Sequence, residues 1–230
     1  MKILGMIGGV GPESTVDYYK LIIEKYRERK PDDSYPPILI NSINLTEMIG
    51  LLEKGELPRM TQRLAEEVDR LVRGGADFAL LSSNTPHLVF DDLTRRCPIP
   101  LLSIVEETCK TAKAEGLRKL GLFGSKFTMS ANFYQNVFAR EGITLVVPTR
   151  EEQLSIHEKY MGELVNGVFR AETRDFMLSI ADRLKKEEGI EALILGGTEL
   201  PLLLRDVAAG MPMLDTTQIH VKAAVEKILS

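Results

Sequence analysis

Four short segments concentrate the residue types that can hold an anion: Gly8–Thr15, Ser82–His87, Gly124–Thr128 and Gly196–Glu199. Each is rich in Gly, Ser or Thr and leads toward a candidate helix. The first amides of a helix lack intrahelical acceptors and sit at the positive end of its dipole, so they favour a carboxylate or phosphate. Gly9, Val10 and Gly11 would offer backbone groups. Asn84, Thr85, Ser125, Thr128 and Thr198 would offer side-chain donors, and Ser82 and Ser83 two further hydroxyls. These residue types also form ordinary turns and caps. Among the ionisable groups of these loops, His87 and Glu199 are the acid/base candidates. His87 is a hydrogen-bonding candidate or a helix cap, and Glu199 a proton-transfer candidate or a carboxylate stabilised by a helix N-terminus.

Other chemistries fit poorly. Gly8-Gly9-Val10-Gly11 resembles part of a dinucleotide fingerprint, but the second strand ends in Asn41-Ser42, without the acidic residue a ribose needs. No Gly-Lys-Ser/Thr follows, so a phosphate-binding P-loop is excluded. His87, His157 and His220 are widely spaced and lack metal-ligand spacing, so no metal is expected. The net charge of -4 and the absence of Trp disfavour a nucleic-acid partner. No run of 18 apolar residues suggests a membrane span. Met1–Val10 carries one Lys before a short apolar run and no cleavage site, so the chain is expected to be cytoplasmic. Two cysteines, Cys97 and Cys109, suit a reducing compartment.

The elements that must position these loops are an alternating series. Apolar runs at Ile3–Ile7, Ile38–Ile43, Phe78–Leu81, Leu101–Ile104, Leu120–Phe123, Ile143–Val146, Ala192–Leu195 and Met213–Leu214 read as strands. Between them, Met60–Val72 and Thr173–Leu184 place apolar residues three or four apart, as helices do. Continuously apolar strands are buried on both faces, which means a parallel α/β sheet covered by helices. The chain also repeats. Gly5–Gly9 and Gly121–Ser125 match at an offset of 116, and Leu81–Thr85 and Leu195–Glu199 at 114. The expected fold is therefore two similar parallel-sheet α/β lobes with a ligand cleft between them. Residues 1–98 with 206–230 would form the first lobe and 99–205 the second, the boundary falling near Pro98-Ile99-Pro100. Asp215-Thr216-Thr217 would cap the last helix.

Taken together, Gly8-Gly9-Val10-Gly11-Pro12-Glu13-Ser14-Thr15, Asn84-Thr85-Pro86-His87, Gly197-Thr198-Glu199-Leu200 and Asp215-Thr216-Thr217-Gln218-Ile219-His220 resemble the aspartate/glutamate racemase family. Pro148–Val165, with Glu152-Gln153 and Tyr160, resembles the segment after the family's sixth strand. The likeness runs through essentially the whole chain. It implies inversion at the α-carbon of a small acidic amino acid or related dicarboxylate, without a cofactor, and allows a homodimer.

That chemistry implies two acid/base groups on opposite faces of the carbon, usually cysteines. The resemblance places them at Ser83 (in a looser spacing Ser82) and at Gly197. A serine hydroxyl is a weak base without an activating neighbour, and glycine has no side chain. Two readings follow. One is a racemase-family isomerase using other groups, with His87, Glu199, Asn84 and the Ser82/Ser83 pair as candidates. The other is a catalytically impaired binder or sensor of small carboxylates. If only the thiols were lost, cysteines restored at Gly197 and at Ser83 or Ser82 would be expected to recreate α-proton exchange.

Overall fold

The computed structural model describes residues 1–205, 207 and 210–230. The apolar runs form short strands, and those over Leu4–Gly8, Phe78–Leu81 and Ala192–Gly196 are buried throughout under helices on both faces. Ile38–Ser42 and Thr144–Val146 instead lie at sheet edges and stay part-exposed, with Ile40 open to solvent, so the expected burial on both faces fails there. The chain separates into two compact units, one of Met1–Ser103 with His220–Ser230, the other of Ile104–Ile219.

The first unit runs β1 (Leu4–Gly8), α1 (Pro12–Arg29), β2 (Ile38–Ser42), α2 (Leu45–Glu53), α3 (Leu57–Arg73), β3 (Phe78–Leu81), a 3-10 turn (Thr85–Val89), α4 (Phe90–Arg96) and β4 (Leu101–Leu102). All strand pairs are parallel, in the order β2-β1-β3-β4. The strand expected over Leu101–Ile104 is shorter than the apolar run, because Ile104 already starts the next helix. In α3, Met60, Leu64, Val68 and Leu71 are buried and pack under one face of the sheet with Ile7 and Leu81. On the other face lie Tyr18, Ile22 and Tyr26 of α1.

The second unit repeats this plan with α5 (Ile104–Ala114), β5 (Lys119–Gly124), α6 (Lys126–Ser130), α7 (Phe133–Arg140), β6 (Thr144–Val146), α8 (Arg150–Gly162), α9 (Ala171–Glu188), β7 (Ala192–Gly196), α10 (Leu200–Leu204) and β8 (Met213–Asp215). Its sheet is also all parallel, ordered β6-β5-β7-β8. Each sheet thus has its first strand second in line, flanked by its second and third. This common order is the architectural form of the repeat seen in the sequence.

The last helix, α11 (Thr216–Leu229), starts from Asp215, whose Oδ1 accepts the amide of Gln218 at 2.9 Å. From His220 onward it belongs to the first unit, where Val221, Ala224, Val225 and Ile228 join the buried cluster around Leu4 and Tyr18. Near the first sequence boundary, Leu101–Leu102 pairs with β3, so the chain stays in the first unit through Ser103. The second boundary, at Asp206, falls outside the described residues.

Candidate functional site: glycine- and hydroxyl-rich loops

The first loop turns sharply from β1 into α1. Gly9 has φ +79°, and a Cβ there would lie 2.3 Å from the carbonyl oxygen of Ile43, so only glycine fits. Thr15 Oγ1 accepts the Gly9 amide at 2.9 Å and donates to the Gly11 carbonyl at 2.9 Å. Ser14 Oγ donates to the same carbonyl at 2.9 Å. Pro12 enters at the first helical position, where its missing N–H costs nothing. Among the described residues the amides of Val10 and Gly11 have no acceptor, so the turn keeps two donors for an anion.

In the second loop the two serines separate. Ser82 is fully buried, with its amide and Oγ both donating to Ile7 O at 3.0 and 3.1 Å. It ties β3 to β1. Ser83 is half-buried, and its hydroxyl makes no hydrogen bond among the described residues. Asn84 is buried and its carbonyl accepts the His87 amide at 3.0 Å. His87 Nδ1 lies 3.1 Å from Ser83 O, and since a carbonyl only accepts, Nδ1 carries the proton. The ring stacks on Phe90 at 4.6 Å. Burial first, and then the nearby His220, push its pKa down to about 3, so His87 is neutral near pH 7.

His220, from the closing motif, is a structural tie. Its Nε2–H donates to Leu102 O at 3.1 Å and its Nδ1 accepts from Tyr18 Oη at 2.8 Å. Burial pushes its pKa down to about 4.

In the second unit the ends of β5 and β7 approach so closely that neither tolerates a side chain. A Cβ on Gly124 would be 2.7 Å from Gly196 O, and one on Gly196 would be 2.7 Å from Phe123 O. Ser125 caps α6, its Oγ accepting the Thr128 amide at 3.2 Å and standing 3.2 Å from Thr128 Oγ1. The fourth loop carries Thr198 and Glu199, each 1% exposed. Thr198 Oγ1 donates to Glu199 Oε2 at 3.2 Å, and Tyr160 Oη donates to that oxygen in a short contact.

Tyr160 reaches this loop from α8, a helix started by a complete capping box between Thr149 and Glu152. A Cβ built on Gly197 would lie 2.6 Å from Tyr160 Cε2 and 2.9 Å from its Oη. The tyrosine ring fills the volume of the absent side chain. Burial, then the Glu199 charge, hold the phenol's pKa well above 10, so it keeps its proton. The side chain introduced by Gly197→Cys in the expected rescue, with Ser83 or Ser82, would meet the Tyr160 ring, a neighbour that expectation did not include. The sequence places Tyr160 in a family-like segment but gives it no role, since its partner Glu199 is 39 residues away.

The two cysteines lie elsewhere. Cys97 ends α4, and Cys109 is buried in α5, its Sγ 3.9 Å from Val137 O. Burial above all, with nearby carboxylates, pushes both thiols up to about 11, and they remain protonated near neutrality. Among the described residues no cluster of His, Cys, Asp and Glu could hold a metal ion, and no helix is long and apolar enough to cross a membrane.

Paired parallel sheets whose carboxyl-end loops are built from glycines and hydroxyls define a class of duplicated α/β proteins, and comparison places the chain within it. The Asp/Glu/Hydantoin racemase family matches residues 7–224, and the chain belongs to this family. It is similar to an aspartate racemase homologue from Pyrococcus horikoshii OT3, with 35% identity, TM-score 0.85 and 100% of each chain covered. The aspartate racemase of Picrophilus torridus shares the fold at 20% identity and TM-score 0.81, covering 99% of this chain and 94% of that one. Among curated relatives, the broad specificity amino-acid racemase RacX of Bacillus subtilis (strain 168) is 23% identical, with 99% of each chain covered.

Proposed function

We propose that the protein recognises a small acidic amino acid, of the aspartate or glutamate type, without a cofactor, and does not racemise it by the two-thiol route. Family membership supports the substrate class. The observation that carries recognition is the first loop, where a glycine turn leaves the Val10 and Gly11 amides without acceptors at the start of a helix of 18 residues. Ser83, Asn84 and Thr85 in the first unit, and Ser125, Thr128 and Thr198 in the second, are the side chains we assign to ligand binding. Of the two serines, Ser83 is the one we assign to the ligand, a choice supported by the commitment of Ser82 Oγ to Ile7 O.

The binding reading is favoured over thiol-like catalysis by Gly197 and the ring packed on it. His87, neutral and bonded to Ser83 O, and Glu199, bonded to Tyr160 and Thr198, support their loops. Calorimetric titration with D- and L-aspartate and glutamate tests recognition, and solvent-deuterium incorporation at the α-carbon tests exchange. Binding without racemisation is expected. Absence of binding to all four would overturn the recognition, and rapid racemisation by the unmodified chain would overturn the proposed loss of chemistry. Thr85→Val, removing one donor to a charged ligand, should weaken binding by about ten- to 150-fold, as a charge-assisted hydrogen bond is worth about 1.5–3 kcal/mol.

A further inference from the structure

We infer that Tyr160 is the side chain that takes the place of residue 197 in the second unit, and that Gly197 and Tyr160 form one steric unit which keeps a thiol or any other side chain at residue 197 out of that position. The geometry is direct. Tyr160 Cε2 and Oη stand 2.6 and 2.9 Å from where a Cβ at 197 would be, closer than real Cβ atoms come, and Cζ at 3.0 Å is closer than most. Relief by a small ring movement is blocked from two sides. The ring belongs to the buried cluster of Phe123, Ile156, Leu164, Met177 and Leu200, and its hydroxyl is fastened to Glu199. The backbone is held as well, since Gly196 pairs with Gly124 in the β5–β7 ladder and Gly197 O accepts the Leu200 amide at 3.0 Å.

The exchange of groups changes what the loop can do. A thiol beside a charged ligand can lose its proton and act as a base. The Tyr160 phenol has its single proton directed at Glu199, a hydrogen bond between a donor and a carboxylate in a buried setting. It positions Glu199 and Thr198 rather than moving protons. Tyr160 is thus a positioning and specificity-determining residue. Its meaning for a ligand rests on the recognition proposed above, whereas its steric coupling to Gly197 does not.

A double-mutant cycle separates the two. Gly197→Ala is made with Tyr160 present and in a Tyr160→Ala chain, and folding equilibria are compared by denaturant titration. Gly197→Ala should lower the folding constant at least tenfold more when Tyr160 is present. Additive effects would overturn the inference. With Cys97 and Cys109 both changed to Ala, the thiol of Gly197→Cys should react with a chromogenic disulfide at least tenfold faster once Tyr160 is also Ala, whereas Tyr160→Phe, which keeps the ring, should not release it. Equal rates in all three would likewise overturn it. Finally, aspartate exchange in deuterium oxide is compared for Ser83→Cys/Gly197→Cys with and without Tyr160→Ala. Exchange only in the triple variant supports both readings. A coupled cycle in chains that bind no acidic amino acid overturns the proposed function and leaves the steric inference standing. Exchange by the double variant overturns the inference and leaves recognition standing.

Discussion

At Glu199 a buried carboxylate receives hydrogen bonds from the Tyr160 phenol and the Thr198 hydroxyl on one oxygen. Water cannot replace a lost donor readily at a residue 1% exposed. Tyr160→Phe keeps the ring and removes the donor, so it should cost about 1.5–3 kcal/mol, the range for hydrogen bonds to charged groups; a loss below about 0.5 kcal/mol in denaturant titration would show that the bond does not stabilise the fold. The adjacent serines make a second comparison. Ser82→Ala removes the hydroxyl bonded to Ile7 O and should cost about 1 kcal/mol, while Ser83→Ala should leave stability within about 0.5 kcal/mol and act on ligand affinity. At this scale the sequence marks which loops carry polar residues, because Gly, Ser and Thr cluster after apolar runs. It cannot separate Ser82 from Ser83, since one residue of register decides which hydroxyl turns inward. Nor can it pair Tyr160 with Glu199, which the fold alone brings together.

The elements are held by close backbone approaches as much as by side chains. Gly124 and Gly196 end β5 and β7, each facing a carbonyl of the other strand at 2.7 Å from a would-be Cβ. Gly50 in α2 has open space around its would-be Cβ. Alanine should therefore have opposite effects at the two places. Gly50→Ala should stabilise by about 0.5–1 kcal/mol, the gain from replacing glycine in a helix interior. Gly124→Ala must displace the β5 backbone, Gly196 or Thr128, and should destabilise by about 1–3 kcal/mol, as overpacking does. Thermal melts of the two variants moving in the same direction would contradict this. Inner strands and long helices are legible because burial on both faces leaves uninterrupted apolar runs, and amphipathic helices such as α3 leave a period near 3.6. Short elements were less so: β4 has two residues, and nothing in Leu101–Ile104 tells where strand yields to helix.

Across the whole molecule, two sheets of the same strand order realise a repeat that was visible as matching motifs about 115 residues apart. The repeat survives in sequence where β1 and β5 both end in a glycine, Gly8 and Gly124, at which a Cβ would press on a threonine of the following helix, Thr15 and Thr128. The joint between the units was less legible, since α11 begins beside β8 and then contributes His220 and four apolar residues to the first unit's core. That buried histidine gives the molecule a pH dependence. His220 and His87 have pKa values lowered to about 4 and about 3, against 6.5 for an unfolded histidine, chiefly because burial opposes their charged forms. Between pH 6.5 and those values the unfolded chain binds more protons than the folded one. Stability is then full above about pH 6.5 and falls as the pH drops, each histidine contributing a limiting slope of about 1.4 kcal/mol per pH unit. Denaturant titrations at pH 7.5, 6.5, 5.5 and 5.0 should show stability nearly flat over the first step and declining over the others. His220→Gln, which retains a donor for Leu102 O without a titrating ring, should have a shallower decline by up to one proton's slope. Parallel pH profiles for the two chains would mean that His220 does not couple protonation to folding.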